Sequence, residues 1–169
     1  MAAYRRALTL SPDFTIAWNN LGNALRGLGQ SEEAAIALKT AIRHRPDYAE
    51  AYNNLAITYA QLEDSEAAMQ AFDQSIFLRP DYPEAHMNRG LQYLLQGDFR
   101  RGWADYEWRW HEKLLKPRYA KLKRWDGSNL VGKRLLVYYE QGLGDTFHFI
   151  RYAAELKARY AGAELEPLT

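Results

Sequence analysis

Asn20, Asn54 and Asn88 recur at one constant interval along the chain. A carboxamide carries both a donor and an acceptor, which complements the N–H and C=O of a peptide backbone. Three such groups in register would form a ladder able to hold the backbone of an extended segment. Each net hydrogen bond contributes only about 1 kcal/mol, so useful affinity requires several rungs acting together. Asn19, Asn53 and Asn23 lie beside the rungs and are candidate further contacts. A second feature is the run Gln141-Gly142-Leu143-Gly144-Asp145. Gly142 and Gly144 permit a tight turn, and the first N–H groups of a following helix can receive an anion. The run matches neither GxGxxG nor a P-loop. Asp145 suits the start of that helix, where a negative charge complements the dipole.

The elements that position the asparagines are set by the same interval. Pro12, Pro46 and Pro80 share it, each followed by aspartate. Trp18-Asn19-Asn20-Leu21-Gly22 aligns with Tyr52-Asn53-Asn54-Leu55-Ala56, and more loosely with His86-Met87-Asn88-Arg89-Gly90. Each period holds two helical stretches. Trp18, Leu21, Leu25 and Leu28 form an apolar stripe on the first, and Gly29 provides its stop. Ala34, Ala35, Leu38, Ala41 and Ile42 mark the second, which Pro46 forbids from continuing. Asp47 with Glu50, and Asp81 with Glu84, have capping-box spacing for the helices that follow. Gly22, Ala56 and Gly90, facing Ala34 and Ala68, are expected where two helix backbones approach closely. A hairpin of this kind buries only part of its apolar surface, so neighbours must stack to complete a core.

This pattern resembles the tetratricopeptide repeat family. The resemblance implies an all-α fold, a right-handed α-solenoid of antiparallel helix pairs. Residues 15–48 and 49–82 read as full repeats and 83–113 as a divergent terminal one. Residues 1–14 align with the second half of a repeat, so the chain is expected to come from a longer array. In this family the first helix of each hairpin lines the concave face, which would place Asn20, Asn54 and Asn88 along a groove. The ladder is similar to the one in the superhelix of the O-linked N-acetylglucosamine transferase. The carboxylate clamp used by other tetratricopeptides for acidic C-termini needs several inner-face cations, and only Arg26 is an obvious one here. Arg89, in the place of Leu21 and Leu55, and Gly102, in the place of Ala34 and Ala68, set the third repeat apart. These departures suggest that it ends the solenoid.

Residues 98–113 read as one helix with Asp98 at its N-cap. Its stripe of Phe99, Trp103, Tyr106 and Trp110 is expected to close the last hairpin face rather than to form a ligand box. Residues 114–133 form a basic linker, within which Asp126-Gly127-Ser128 reads as a turn. From 134 to 169 the pattern becomes the start of an α/β domain. Arg134–Glu140 is a strand, a helix runs through Phe149, Tyr152, Leu156 and Tyr160, and Ala163–Pro167 begins a second strand.

Tetratricopeptides followed by WADYEWRW and EQGLGD resemble bacterial proteins whose C-terminal half is a GT-B, heptosyltransferase-like glycosyltransferase. That resemblance would make Asp145 a general base in a longer parent. With only the first βαβ unit present, this chain is expected to have no catalytic residues in use and no transferase activity.

Composition sets the outer bounds. The 169 residues carry 22 basic and 21 acidic side chains, a net charge of +1, which gives no steering towards nucleic acid. No apolar run approaches the roughly 18 to 20 residues that span a bilayer, and a cytoplasmic location is the default. Zero cysteines exclude disulfides and thiolate metal sites. No cofactor or metal is expected. The expected function is therefore a module that binds a peptide or protein segment. Alternatives are the substrate-presenting arm of a glycosyltransferase, and homo-oligomer formation through incomplete end hairpins.

Overall fold

The computed structural model describes residues 1–111, 121–137 and 151–160, and the backbone of 164–167. It divides into two units, Met1–Leu115 and Lys116–Thr169. In the first unit, helices α2 (Thr15–Gly27), α4 (Ala49–Gln61) and α6 (Pro83–Leu95) begin at the same constant interval as the asparagines. Each is followed by its partner: α3 (Ser31–His44), α5 (Ser65–Leu78) and α7 (Phe99–Tyr106). Helix α1 (Ala2–Leu10) packs on α2 as the second half of a hairpin would. Three antiparallel pairs and one half-pair thus make the all-α stack expected from the period.

Burial follows the small residues. Ala34, Ala56 and Ala68 are fully enclosed, and a Cβ built on Gly22 would lie 2.6 Å from Leu38 Cγ. The core is a row of clusters, one around Leu8, Leu21 and Leu25, one around Leu38 and Leu55 and one around Phe72, bridged by half-buried Trp18, Ile42 and Tyr59. Hydrogen bonds tie elements at fixed points. Trp18 donates its indole N–H to the Pro12 carbonyl at 2.7 Å, and buried Ser75 donates to the Ala49 carbonyl at 2.8 Å. At the junctions between hairpins the guanidinium groups of Arg45 and Arg79 stack over Tyr48 and Tyr82, 3.4 and 4.0 Å from the ring centres.

The first helices of the three pairs stop at equivalent points, where the chain takes positive φ: Gly29 at 77°, Glu63 at 60° and Gly97 at 81°. For an L-residue with a Cβ the left-handed region costs about 1–2 kcal/mol, which glycine avoids. Glu63→Gly is therefore expected to stabilise the protein by about 1 kcal/mol, after allowing for the greater freedom of glycine in the unfolded chain. The measurement is the urea midpoint at unchanged slope; an unmoved midpoint would refute it.

Several local expectations are corrected. The capping boxes do not form, because the helices start one residue later than assumed. Tyr48 and Tyr82 occupy the N-cap positions without side-chain caps, which leaves Asp47 and Asp81 one residue outside. Glu50 instead pairs with Arg79. Leu28 lies past the end of α2 and is exposed rather than buried. The helix expected over 98–113 keeps its N-cap, since Asp98 Oδ1 accepts from the Arg101 N–H at 3.0 Å. After Tyr106 it tightens into a 3₁₀ turn, Glu107–His111, and residues 112 and 113 lie outside the described part. Its aromatic stripe leaves Phe99 and Trp103 exposed. Trp108, off the stripe, packs instead, stacked on His86 at 3.9 Å.

In the second unit, β1 (Arg134–Val137) pairs in parallel with β2 (Glu164–Pro167), and Leu135 sits opposite Leu165. Helix α8 (Arg151–Arg159) lies between them in sequence. Parallel neighbours require a crossover connection, so this is a βαβ arrangement as expected. The 126–128 turn also forms. Ser128 N–H donates to Asp126 Oδ1 at 3.0 Å, Gly127 has φ 83°, and Trp125 donates to the Ser128 carbonyl at 2.7 Å. Hydrogen bonds from Ser128 hold the Asp126 carboxyl down at about 2. Residues 138–140, Phe149, and the Gly142, Gly144 and Asp145 positions lie outside the described residues.

Candidate peptide-binding groove

Helices α2, α4 and α6 each carry a stripe of exposed or half-buried residues. Reading at i, i+4, i+7 and i+11, the stripes are Ile16, Asn20, Asn23 and Gly27; Glu50, Asn54, Ile57 and Gln61; and Glu84, Asn88, Leu91 and Leu95. All twelve positions are exposed or half-buried, and they stay in register because the three helices begin at equal intervals. The asparagines occupy equivalent places, one turn inside each helix.

The two asparagines of each pair have different tasks. Asn19 and Asn53 are only 5% and 4% exposed, so they face the seam between neighbouring first helices. Asn54 donates its amide to Asn19 Oδ1 at 2.9 Å, and Asn88 donates to Asn53 Oδ1 at 3.1 Å. Donor and acceptor are separated by one position more than the repeat, which is why a search at the repeat period misses the pair. These bonds stitch successive hairpins together. They use one amide hydrogen of Asn54 and of Asn88, and leave each a second hydrogen and a carbonyl oxygen for a ligand. Asn20 makes no side-chain hydrogen bond among the described residues, and the Asn23 Oδ1 is shielded without a donor. In the third hairpin Met87 stands where Asn19 and Asn53 accept, so that helix offers no carboxamide at this place to a further copy.

The third hairpin also replaces an apolar contact with charge. Arg89 donates to Asp105 through Nε at 2.6 Å and Nη2 at 3.1 Å, and to Asp73 through Nη1 at 2.7 Å. Burial pulls the guanidinium towards neutrality, but these bonds outweigh it and raise it above the ordinary arginine value. His86 extends the network, with Nε2 3.0 Å from the Pro80 carbonyl and Nδ1 3.4 Å from Asp105 Oδ1. The Nε2 contact repeats the Trp18–Pro12 bond of the first repeat. None of these four partners was legible as a group, since Arg89 stood out only as a departure from leucine.

Profiles of the tetratricopeptide repeat family match residues 3–35, 20–83 and 54–102. The chain belongs to the tetratricopeptide repeat family. A solved structure of MamA superposes on this tetratricopeptide stack with a TM-score of 0.59 at 25% identity, covering 68% of this chain and 67% of that one. MamA from residue 41 to its end, from Desulfovibrio magneticus RS-1, gives 0.59 at 21%, covering 66% of each. The second tetratricopeptide domain of Spaghetti (RPAP3), solved bound to the HSP90 peptide SRMEEVD, gives 0.54 at 22%, covering 64% of this chain and 95% of that one. The tetratricopeptide chain spans about two thirds of the length of those MamA structures. No curated protein matches it by sequence. No described helix is long and apolar enough to cross a membrane.

Proposed function

We propose that this tetratricopeptide stack is a binding module that holds an extended peptide or protein segment along α2, α4 and α6, through Asn20, Asn54 and Asn88. The carrying observation is the register of three exposed or half-buried carboxamides, of which Asn20 is uncommitted and the other two retain spare hydrogen-bonding capacity. That a domain of similar fold was solved with a bound peptide supports the reading. Asn19 and Asn53 act through the seam, holding the donors in place, and Asn23 borders the groove. The module works in the cytoplasm, with no cofactor.

The test uses capped twelve-residue peptides selected from a displayed random library, with affinity measured by fluorescence polarisation. Asn20→Ala breaks no bond within the stack and should weaken binding about fivefold, the equivalent of one net hydrogen bond. The triple replacement with Asn54→Ala and Asn88→Ala should weaken it about 100-fold, with circular dichroism confirming that the helices persist. Affinity unchanged by Asn20→Ala and by the triple variant would end the proposal.

A second reading is favoured by the parallel β1–β2 pair. The stack would be the substrate-presenting arm of a bacterial glycosyltransferase whose first βα unit begins at Arg134, with Asp145 as its base and the Gly142–Gly144 turn receiving an anion. The genomic continuation decides this: 200 or more further residues of α/β pattern would support it, and a stop codon after Thr169 would remove it.

A further inference from the structure

The chemistry of the twelve stripe positions goes further than a carboxamide ladder. None of them is lysine or arginine. The cations of the three helices are Arg26, which is half-buried and off the stripe, and Arg89, which is bonded to Asp105 and Asp73. At the start of the stripes stand Glu50, already paired with Arg79, and exposed Glu84. One turn beyond the asparagines stand Asn23, Ile57 and Leu91, so the stripe becomes apolar on α4 and α6. Ile57 is half-buried, and on α6 Leu91 and Leu95 are 44% and 79% exposed. These two leucines lie four residues apart on one face, so they form a continuous apolar wall.

Spacing adds a second constraint. Packed helices lie about 8–10 Å apart, which agrees with asparagines on adjacent first helices reaching one another at 2.9 and 3.1 Å. A polyproline II segment repeats every three residues and advances about 9 Å per turn, with its backbone N–H and C=O groups unpaired. Such a segment would offer backbone groups to successive carboxamides and, three residues apart, one side chain to Ile57 on α4 and the next to Leu91 on α6. We infer that the groove takes an interior, neutral or basic segment of another protein, with apolar side chains three residues apart, and rejects acidic C-termini. This rests on the peptide-binding reading and names the class of peptide. An acidic segment would approach Glu84, and among the described residues of these helices Arg26, off the stripe, is the one arginine not held by carboxylates. A terminal carboxylate would exchange its water for neutral amide donors, with no cation on the stripe to hold its charge. An apolar segment exchanges water for Leu91 and Leu95 instead.

The experiment compares two fluorescein-labelled probes on the full chain. One is a twelve-residue peptide, blocked at both ends, with leucine at every third position and serine and lysine between. The other is SRMEEVD with a free carboxylate. The blocked peptide is expected to bind at least tenfold tighter. Leu91→Asp and Leu95→Asp, both at exposed sites, should each weaken it at least tenfold while leaving the circular dichroism unchanged. Leucine at every second position should also bind several-fold more weakly. If SRMEEVD binds and the blocked peptide does not, the inference fails and the groove remains a peptide site. Binding of neither probe overturns both. A dimer in light scattering that Leu95→Asp dissolves would show a second copy in the groove, and that too overturns the inference.

Discussion

Asp105→Ala is expected to cost about 2 kcal/mol, while the double variant Arg89→Leu/Asp105→Ala should return to within about 1 kcal/mol of the parent. The single change leaves a guanidinium whose side chain is 18% exposed with only the outlying Asp73 carboxylate, which is 59% exposed, to balance it. Breaking a buried pair costs about 3–5 kcal/mol and an exposed one less than about 1, so a mostly enclosed pair falls between. The double variant recreates a combination the protein already uses. Leucine and alanine occupy the equivalent places as Leu21 with Ala37, and as Leu55 with Ala71. Replacing a buried ion pair by packed apolar groups is often neutral or stabilising. Urea denaturation of the parent, both singles and the double gives the coupling energy directly. A double variant as unstable as Asp105→Ala would show that the charges, and not merely the filling of space, hold the third hairpin.

Gly90→Ala should cost about 2 kcal/mol and loosen α6 from α7. A Cβ at Gly90 would lie 2.8 Å from the Tyr106 backbone nitrogen, and 3.0 Å from both the Gly102 carbonyl oxygen and Asp105 Cβ. Two of those neighbours are backbone atoms, which cannot turn aside, so the helices must separate. Overpacking typically costs about 1–3 kcal/mol, and contacts this short belong at the upper end, offset by about 1 kcal/mol from the better helix propensity of alanine. Gly27→Ala is the control, because its Cβ would meet nothing within 4 Å. That variant should be neutral or slightly stabilising. Thermal unfolding followed by helical circular dichroism separates the two; equal midpoints would contradict the close approach.

The same geometry explains a departure visible in the sequence. The first hairpin pairs Gly22 with Ala34 and the second pairs Ala56 with Ala68, whereas the third pairs two glycines, Gly90 and Gly102. A Cβ at Gly102 would also meet Leu94, at 2.6 Å. Removing both methyl groups lets α7 approach until the Arg89–Asp105 bonds close. The charges and the glycines are therefore parts of one arrangement, although sequence alone presents them as separate irregularities.

Much of the fold was determined within single repeats. Apolar residues at helical spacing, small residues at the crossing points, and proline or a left-handed residue at the ends act over a few turns. Their regular recurrence fixes both helices of every pair before any long-range contact is considered. It also placed the aromatic residues 18, 52 and 86 and the asparagines 20, 54 and 88 in register. What tertiary structure alone decided is which side of each helix its neighbour covers. Successive residues on a helix point about 100° apart, so Asn19 and Asn20 cannot share one environment. Only the position of the next hairpin sends one into a seam and leaves the other half-buried on the stripe. A pairing offset one position longer than the repeat, and a salt bridge that spans a hairpin, both depend on that neighbour, and so lie beyond the reach of a pattern read along the chain.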